Sequence, residues 1–146
     1  TGALATDAGS TIKTYTSSAS DLTGTGSSGA YTYVTVNNVK DSAGLKLDLW
    51  NGGNTEVAYA AGGGTGGGLV NVASANSLAS ALDTAATTLS AVGAREVGYF
   101  QYGGNTYIMG VGVAGETAMG ASDILVKLTG LHDASAFTVA GSVLTF

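Results

Sequence analysis

The side chains that most often carry out reactions are scarce in this chain of 146 residues, which contains one histidine and no cysteine. That histidine, His132, lies in the turn-like stretch 130–134. A serine nucleophile would need it as a base, yet no Gly-x-Ser-x-Gly motif occurs, and a zinc site would need further nitrogen or sulfur ligands. We therefore interpret His132 as a solvent-exposed or capping residue, and we expect a protein that is not an enzyme.

Glycine patterns that could hold phosphate groups occur without the elements that such binding requires. The spacing Gly-x-Gly-x-x-Gly is present at residues 24–29 and again at 110–115. A dinucleotide fingerprint places a helix directly after the glycines, whereas a strand is predicted after the first match and only a short segment precedes the next strand after the second. The glycine run 62–68 lacks the Lys-Ser/Thr pair of a phosphate-binding loop and is interpreted as a linker.

The ten acidic residues are dispersed along the chain, which disfavours the paired acids of a glycosidase. Calcium is a better candidate, because it takes oxygen ligands from Asp, Asn and backbone carbonyls, and glycine-rich turns expose carbonyls. The Gly-Gly-x-Gly-x-Asp repeat of calcium-binding β-rolls is absent. The candidate calcium ligands are therefore isolated aspartates, with ordinary surface carboxylates as the alternative interpretation: Asp41, Asp48, Asp123 and Asp133.

Charge and composition narrow the classes of partner. Charged residues make up 10% of the chain, its net charge is −5, and its five basic residues are scattered. No basic stripe could neutralise phosphates, so we expect no nucleic-acid partner. No apolar run approaches the length that crosses a bilayer, so we expect no membrane span. The start of the chain has neither a signal-peptide pattern nor a methionine, which predicts a processed or excised piece of a longer protein.

Most of the chain is predicted to form strands joined by turns rich in glycine and asparagine. The alternating run 123–129 is expected to bury one face. The segments predicted as further strands are 11–16, 30–36 and 69–72, a hairpin of 45–50 with 55–60, a hairpin of 96–102 with 106–113, and a closing hairpin of 136–140 with 143–146.

One helix is expected at residues 75–92, where large apolar residues recur at helical spacing. Asn76 or Ser77 can cap its start, and Gly93 stands where a helix-ending glycine is favoured. The elements together predict a mainly β fold, either a β-sandwich or a small barrel built from antiparallel hairpins, with this one amphipathic helix. We expect a single domain, residues 1–146, and the alternative is two lobes, a β-rich lobe at 1–68 and a lobe of helix and hairpins at 69–146.

Three segments in the second half are distinctive, namely Leu78–Ala86, Phe100–Ile108 and Asp123–Gly130. Together they resemble the C-terminal region of bacterial surface-layer (S-layer) and RTX-like proteins that are exported by type I secretion, and the resemblance covers about residues 75–146. It implies export without a cleaved N-terminal signal, an extracellular home at the bacterial cell surface, and a structural role in which calcium often assists folding or assembly.

The leading hypothesis is accordingly an extracellular structural protein whose partners are copies of itself, assembled into a surface layer or filament. Its physical basis is a surface of small residues with few charges, which can dock at little desolvation cost. The alternative is a secretion, cell-surface or glycan-binding module of a larger exported adhesin or hydrolase, with cell-surface polysaccharide as the partner. The six tyrosines at 31, 33, 59, 99, 102 and 107 could stack on sugars, although strand packing is their commoner role.

Overall fold

The structure of the protein, a computed structural model, describes residues 11–13, 22–23, 30–31, 33–36, 46–48, 60–61, 69–120, 123–133, 138–140 and 143–145. Within these ranges the chain forms strands and one helix, which confirms the predicted mainly β fold. The elements in chain order are β1 (Thr11–Lys13), β2 (Leu22–Thr23), β3 (Ala30–Tyr31), β4 (Tyr33–Val36), β5 (Lys46–Asp48), β6 (Ala60–Ala61), α1 (Leu78–Val92), β7 (Glu96–Tyr102), β8 (Asn105–Gly110), β9 (Ile124–Leu128), β10 (Thr138–Ala140) and β11 (Val143–Thr145).

The described strands belong to three sheets. A five-stranded sheet has the order β4-β9-β8-β7-β6, a four-stranded sheet has the order β1-β5-β11-β10, and β2 pairs with β3. The hairpins β7–β8 and β10–β11 are antiparallel, as the sequence predicted. Both larger sheets are nevertheless mixed, because β4 runs parallel to β9, β6 parallel to β7, and β1 parallel to β5.

Helix α1 explains one of these parallel pairs. Parallel neighbours cannot be joined by a tight turn and need a crossover connection of a dozen residues or more. The helix lies in the connection between β6 and β7, whose register pairs Ala60 with Glu96 and Ala61 with Val97. The chain continues along the same edge of β7 at Leu69, which bridges to Tyr99 in parallel orientation.

The predicted hairpin of 45–50 with 55–60 is wrong where the structure describes it. Strand β5 has neighbours on both sides, because Leu47 is in register with Ile12 of β1 and with Leu144 of β11. Strand β6 belongs to the other large sheet. The turn signal at residues 51–54 is local, whereas the partners of β5 come from the two ends of the chain. Pairing between such distant segments cannot be predicted from the sequence around β5.

The ends of α1 follow the sequence signals closely. Ser77 is the N-cap: its Oγ accepts a hydrogen bond from the Ser80 backbone N–H at 3.1 Å, and Ser80 Oγ accepts one from the Ser77 backbone N–H at 3.2 Å. This reciprocal pair is a capping box in which serine replaces the usual Glu or Gln. Gly93 ends the helix in an extended conformation with φ of 169°, and the left-handed conformation occurs two residues later at Arg95, with φ of 63°.

Helix α1 packs its buried face on one side of the five-stranded sheet. Leu82, Ala85 and Leu89 are fully buried there against sheet residues that include Phe100 and Tyr107. These two rings face each other across the β7–β8 ladder, stacked with centroids 5.1 Å apart and planes at 10°. Aromatic pairs across a ladder stabilise a hairpin by roughly 0.5–1.5 kcal/mol beyond their buried area.

The opposite side of the same sheet is also buried. Val97, Ile108 and Val126 lie on that side and are each 0% exposed. On the helix side, Leu125 joins the cluster with Phe100 and Tyr107. The sequence predicts one buried face for the alternating run 123–129, and Leu125 departs from that alternation. Leu125 is apolar because β9 is a central strand that is covered on both faces.

The turn between β7 and β8 consists of Gly103 and Gly104. Their φ angles are 57° and 78°, and a type I′ hairpin turn requires such positive values at both of its central residues. Asn105, which the sequence placed in the turn, is the first residue of β8 and is in register with Tyr102.

The substitution Leu89→Ala tests whether helix packing carries the stability of this half of the chain. We expect it to lower the free energy of unfolding by about 2–5 kcal/mol, because it opens a cavity at a fully buried position. Val92→Ala on the same helix is the matched control, since Val92 is 59% exposed, and its effect should stay within about 0.5 kcal/mol. Urea unfolding followed by circular dichroism measures both; equal effects would contradict the packing described here.

Candidate functional site

The four aspartates predicted as calcium ligands are not gathered by the described part of the structure. Asp41 lies outside the described residues, and Asp48 is in β5, in register with Lys13 and Val143. Asp123 and Asp133 lie beyond opposite ends of β9, a five-residue strand about 16 Å long at 3.3 Å per residue. The described residues contain no group of three or more His, Cys, Asp or Glu placed to hold a metal ion.

In the structure, Asp123 holds a loop. Its side chain is 2% exposed, and Oδ1 accepts a hydrogen bond from the Gly112 backbone N–H at 2.9 Å while Oδ2 accepts one from the Gly120 N–H at 2.8 Å. Both ends of the segment that links β8 to β9 are therefore fixed by one carboxylate. Charge-assisted hydrogen bonds of this kind are roughly twice as strong as neutral ones.

Helix α1 holds the middle of the same loop. Asp83 Oδ1 accepts a hydrogen bond from the Met119 backbone N–H at 3.1 Å, and the buried Ser90 hydroxyl donates to the Glu116 carbonyl at 3.0 Å. The Gly115 N–H donates to the Ser90 carbonyl at 3.0 Å. The Gly-x-Gly-x-x-Gly match at residues 110–115 thus lies in a loop that is hydrogen-bonded to the side and the end of α1. The element that follows it is strand β9, whereas a dinucleotide site requires a helix there.

Asp123→Asn tests the role of this carboxylate as a loop anchor. We expect a loss of about 1–3 kcal/mol in the free energy of unfolding, because the amide NH₂ replaces one acceptor and faces a backbone donor. Asp83→Asn is the matched control: Asp83 accepts one bond here, and the asparagine carbonyl can keep it. Chemical denaturation of the three proteins measures the effect, and an Asp123→Asn protein as stable as the control would refute the anchoring role.

A second polar network ties the segment after β9 to the β7–β8 hairpin. Thr106 is buried, its hydroxyl donates to the Gly130 carbonyl at 3.1 Å, and its oxygen accepts the His132 backbone N–H at 2.8 Å. Gln101 Nε2 donates to the His132 carbonyl at 3.1 Å. The His132 ring lies with Nε2 3.0 Å from the Thr129 carbonyl. The histidine is therefore part of a loop closure, which agrees with its interpretation as a capping residue.

Tyr99 lies beside this network and is 4% exposed. Burial raises the pKa of its phenol above the ordinary value of 10.0, and the negative charge of Asp133 raises that pKa further. Tyr107 is 4% exposed as well. Two of the six tyrosines that could have formed a platform for sugars are thus core residues, and neither presents its ring to solvent.

Alkaline unfolding tests the environment of Tyr99. Because its pKa is higher in the folded protein, the stability that it contributes is fully present below about pH 10 and is lost as the pH rises through the higher folded value. Relative to Tyr99→Phe, the wild type should therefore lose stability above about pH 10. Asp133→Asn, which removes the nearby charge and so brings the folded pKa of Tyr99 closer to its ordinary value, should make this loss smaller without changing the pH at which it begins. Urea unfolding across a pH series measures both, and parallel wild-type and Tyr99→Phe profiles would contradict the account.

The outward surface of α1 is made mostly of small uncharged side chains. Asp83 is the one charged residue of the helix, and the exposed positions of its C-terminal half are Thr87, Thr88, Ala91 and Val92. Three threonine hydroxyls donate to the helix itself, at 2.8 Å each: Thr84 to the Ser80 carbonyl, Thr87 to the Asp83 carbonyl and Thr88 to the Thr84 carbonyl. Their donor hydrogens are satisfied within the helix. The sequence could have indicated this, because a threonine inside a helix can donate to the carbonyl four residues before it.

No protein-family model matches the sequence, and a search of curated proteins gives no significant match. Among the described residues, no helix combines the length and the hydrophobicity that a bilayer crossing requires. The geometry of the described surfaces is therefore the basis on which function is proposed.

Proposed function

We propose that the protein is an extracellular structural subunit that associates with copies of itself into a layer or filament at a bacterial cell surface. The observation that carries the proposal is the outward surface of α1, where threonine hydroxyls are already bonded to helix carbonyls. This surface can be removed from water without leaving a hydroxyl donor unbonded, so its desolvation costs little.

The same surface suits close contact between copies for two further reasons. Its exposed positions are small, with Thr87, Thr88 and Ala91 in one region and the apolar Val92 beside them. It also lacks the Lys and Glu side chains that cover most exposed helices, and such charges are depleted from the centres of interfaces. With charged residues at 10% of the whole chain, the subunit as a whole repels its copies weakly.

Extracellular location, export by type I secretion and assistance by calcium rest on the resemblance of residues 75–146 to S-layer and RTX-like proteins. They are predictions about the setting of the assembly and do not depend on the helix surface. Glycan binding is the less favoured alternative, because the buried rings of Tyr99 and Tyr107 cannot stack on a sugar.

Lysine substitutions on the helix surface test self-association. We expect Thr88→Lys with Ala91→Lys to weaken association by about tenfold or more, which corresponds to about 1.4 kcal/mol or more, because ammonium groups would lose water in the contact. The two added positive charges reduce the magnitude of the net charge of −5, so the copies repel each other less and general repulsion cannot be the cause of such a loss. Sedimentation velocity over a concentration series, with and without calcium, measures it.

Leu131→Lys is the matched control for this experiment. Leu131 is 62% exposed and belongs to the segment bonded to Thr106, on the side of the sheet away from α1. It adds one lysine, against the two of the double variant, without touching the helix, so association should stay at the wild-type level. A wild-type chain that remains strictly monomeric at high concentration under both conditions would refute the proposal.

A further inference from the structure

A groove opens at the outer edge of β7, where the segment after Leu69 leaves the sheet. Val70 is still bonded to the strand, since its N–H donates to the Tyr99 carbonyl at 2.8 Å. The chain then turns towards the helix, and Val72 and Ala75 pack with the cluster beneath α1. The divergence leaves a groove of about 500 Å³ between this segment and the end of the hairpin at Gln101 and Tyr102.

The backbone of Gln101 points into this opening. The Tyr99 carbonyl bonds outward to Val70, and outward and inward groups alternate along an antiparallel strand. Phe100 and Tyr102 therefore direct their N–H and C=O groups to β8, where they are in register with Tyr107 and Asn105. The N–H and C=O of Gln101 face away from β8. Among the described residues, the last backbone hydrogen bond on this edge is the one between Val70 and Tyr99.

The groove combines the outward N–H donor and C=O acceptor of Gln101 with walls that are largely apolar. That is the set of groups with which a sheet edge accepts another strand, through main-chain hydrogen bonds and pockets for alternate side chains. Its walls include Val70, Val72 and Ala73, and none of the residues that line it carries a charge. A charged strand would be desolvated there without a counter-charge, so the groove favours an uncharged one.

The same sheet offers such a strand at its other edge. Strand β4 is the terminal strand of the five-stranded sheet, and in the described residues it pairs with β9 alone. Its sequence, Tyr-Val-Thr-Val, is uncharged and lies within the uncharged run 22–39. We propose that β4 of one copy adds to the edge of β7 at Gln101 in a second copy, so that the five-stranded sheets join end to end.

This inference rests on the proposed self-association and adds a second contact to the one proposed for the helix surface. The two surfaces in the contact are different, so the contact is head-to-tail, and a head-to-tail contact that does not close into a ring continues into a filament. The helix surface of α1 takes no part in this joint, because it covers a face of the sheet and the joint lies at the edges.

Two substitutions at one position test the joint. Gln101→Pro removes the outward N–H and leaves the inward ladder to β8 intact, as proline on an edge strand can. Gln101→Ala keeps that N–H and loses the same side-chain bond to the His132 carbonyl, so it is the control. We expect sedimentation velocity to show association weakened about tenfold or more in Gln101→Pro relative to Gln101→Ala. Equal association of the two folded variants would overturn the proposal.

Ala73→Lys keeps the test decisive if the proline variant does not fold, because it places a charge in the groove and leaves β7 unchanged. Ala73 is exposed, so the substitution is expected to be tolerated, and Leu131→Lys is its charge-matched control. The joint is supported if Ala73→Lys loses association and Leu131→Lys keeps it. Association equal to that of Leu131→Lys overturns it, while the proposed self-association would stand.

A peptide probe separates failure of the joint from failure of self-association. The probe is the capped, fluorescently labelled peptide of residues 30–36, and its binding is followed by fluorescence anisotropy. Binding to the wild type that is lost in Ala73→Lys and kept in Leu131→Lys supports the groove as the site for this strand, whereas an intact chain that stays monomeric overturns the joint between copies. If the intact chain associates but the peptide fails to bind at any concentration up to its solubility limit, the joint is refuted.

Discussion

The contact between α1 and the five-stranded sheet is the interaction on which the described structure depends. The helix is rich in Ser, Thr and Ala and has little intrinsic stability, so it persists because Leu82 and Leu89 are buried against the sheet. The alanines of its inner face let its backbone approach the stacked rings of Phe100 and Tyr107. The helix in turn positions Asp83 and Ser90 for their bonds to the loop between β8 and β9. Sheet, helix and loop are therefore one cooperative unit.

Several polar groups in this unit are bonded locally, by side chains that bond to backbone. Asp123 bonds two glycine amides, Thr106 bonds the segment at Gly130 and His132, and the helix threonines bond their own carbonyls. Such bonds suit a chain with few charged residues, because they use short side chains, which lose little conformational entropy when they become ordered. On the outward surface of α1 the threonine donors are already bonded within the helix, which is the physical basis of the proposed association.

Local signals in the sequence predicted the local elements well. The helix begins at the Ser77 cap and ends at Gly93, and the β7–β8 hairpin turns at its glycines, because each of these features depends on residues within a few positions of one another. The parallel pairing of β4 with β9 joins residues about ninety positions apart, and nothing in either strand encodes its partner. The hydrogen bonds of Asp123 to two loop amides were not predicted either, because an aspartate that anchors amides and one that binds calcium look alike in a sequence. The groove at Gln101 depends on where a neighbouring segment departs, which only the folded backbone reveals.

The pair of glycines at the tip of the β7–β8 hairpin carries a consequence for handedness. A Cβ built at Gly103 or Gly104 would meet no atom within 4 Å, so neither position is reserved for glycine by crowding. The restriction comes from their positive φ angles, which are unfavourable for L-amino acids and natural for their mirror images. A D-alanine introduced by chemical synthesis would fit this tip where L-alanine strains it, and the composition of the turn is thus dictated by stereochemistry and not by space.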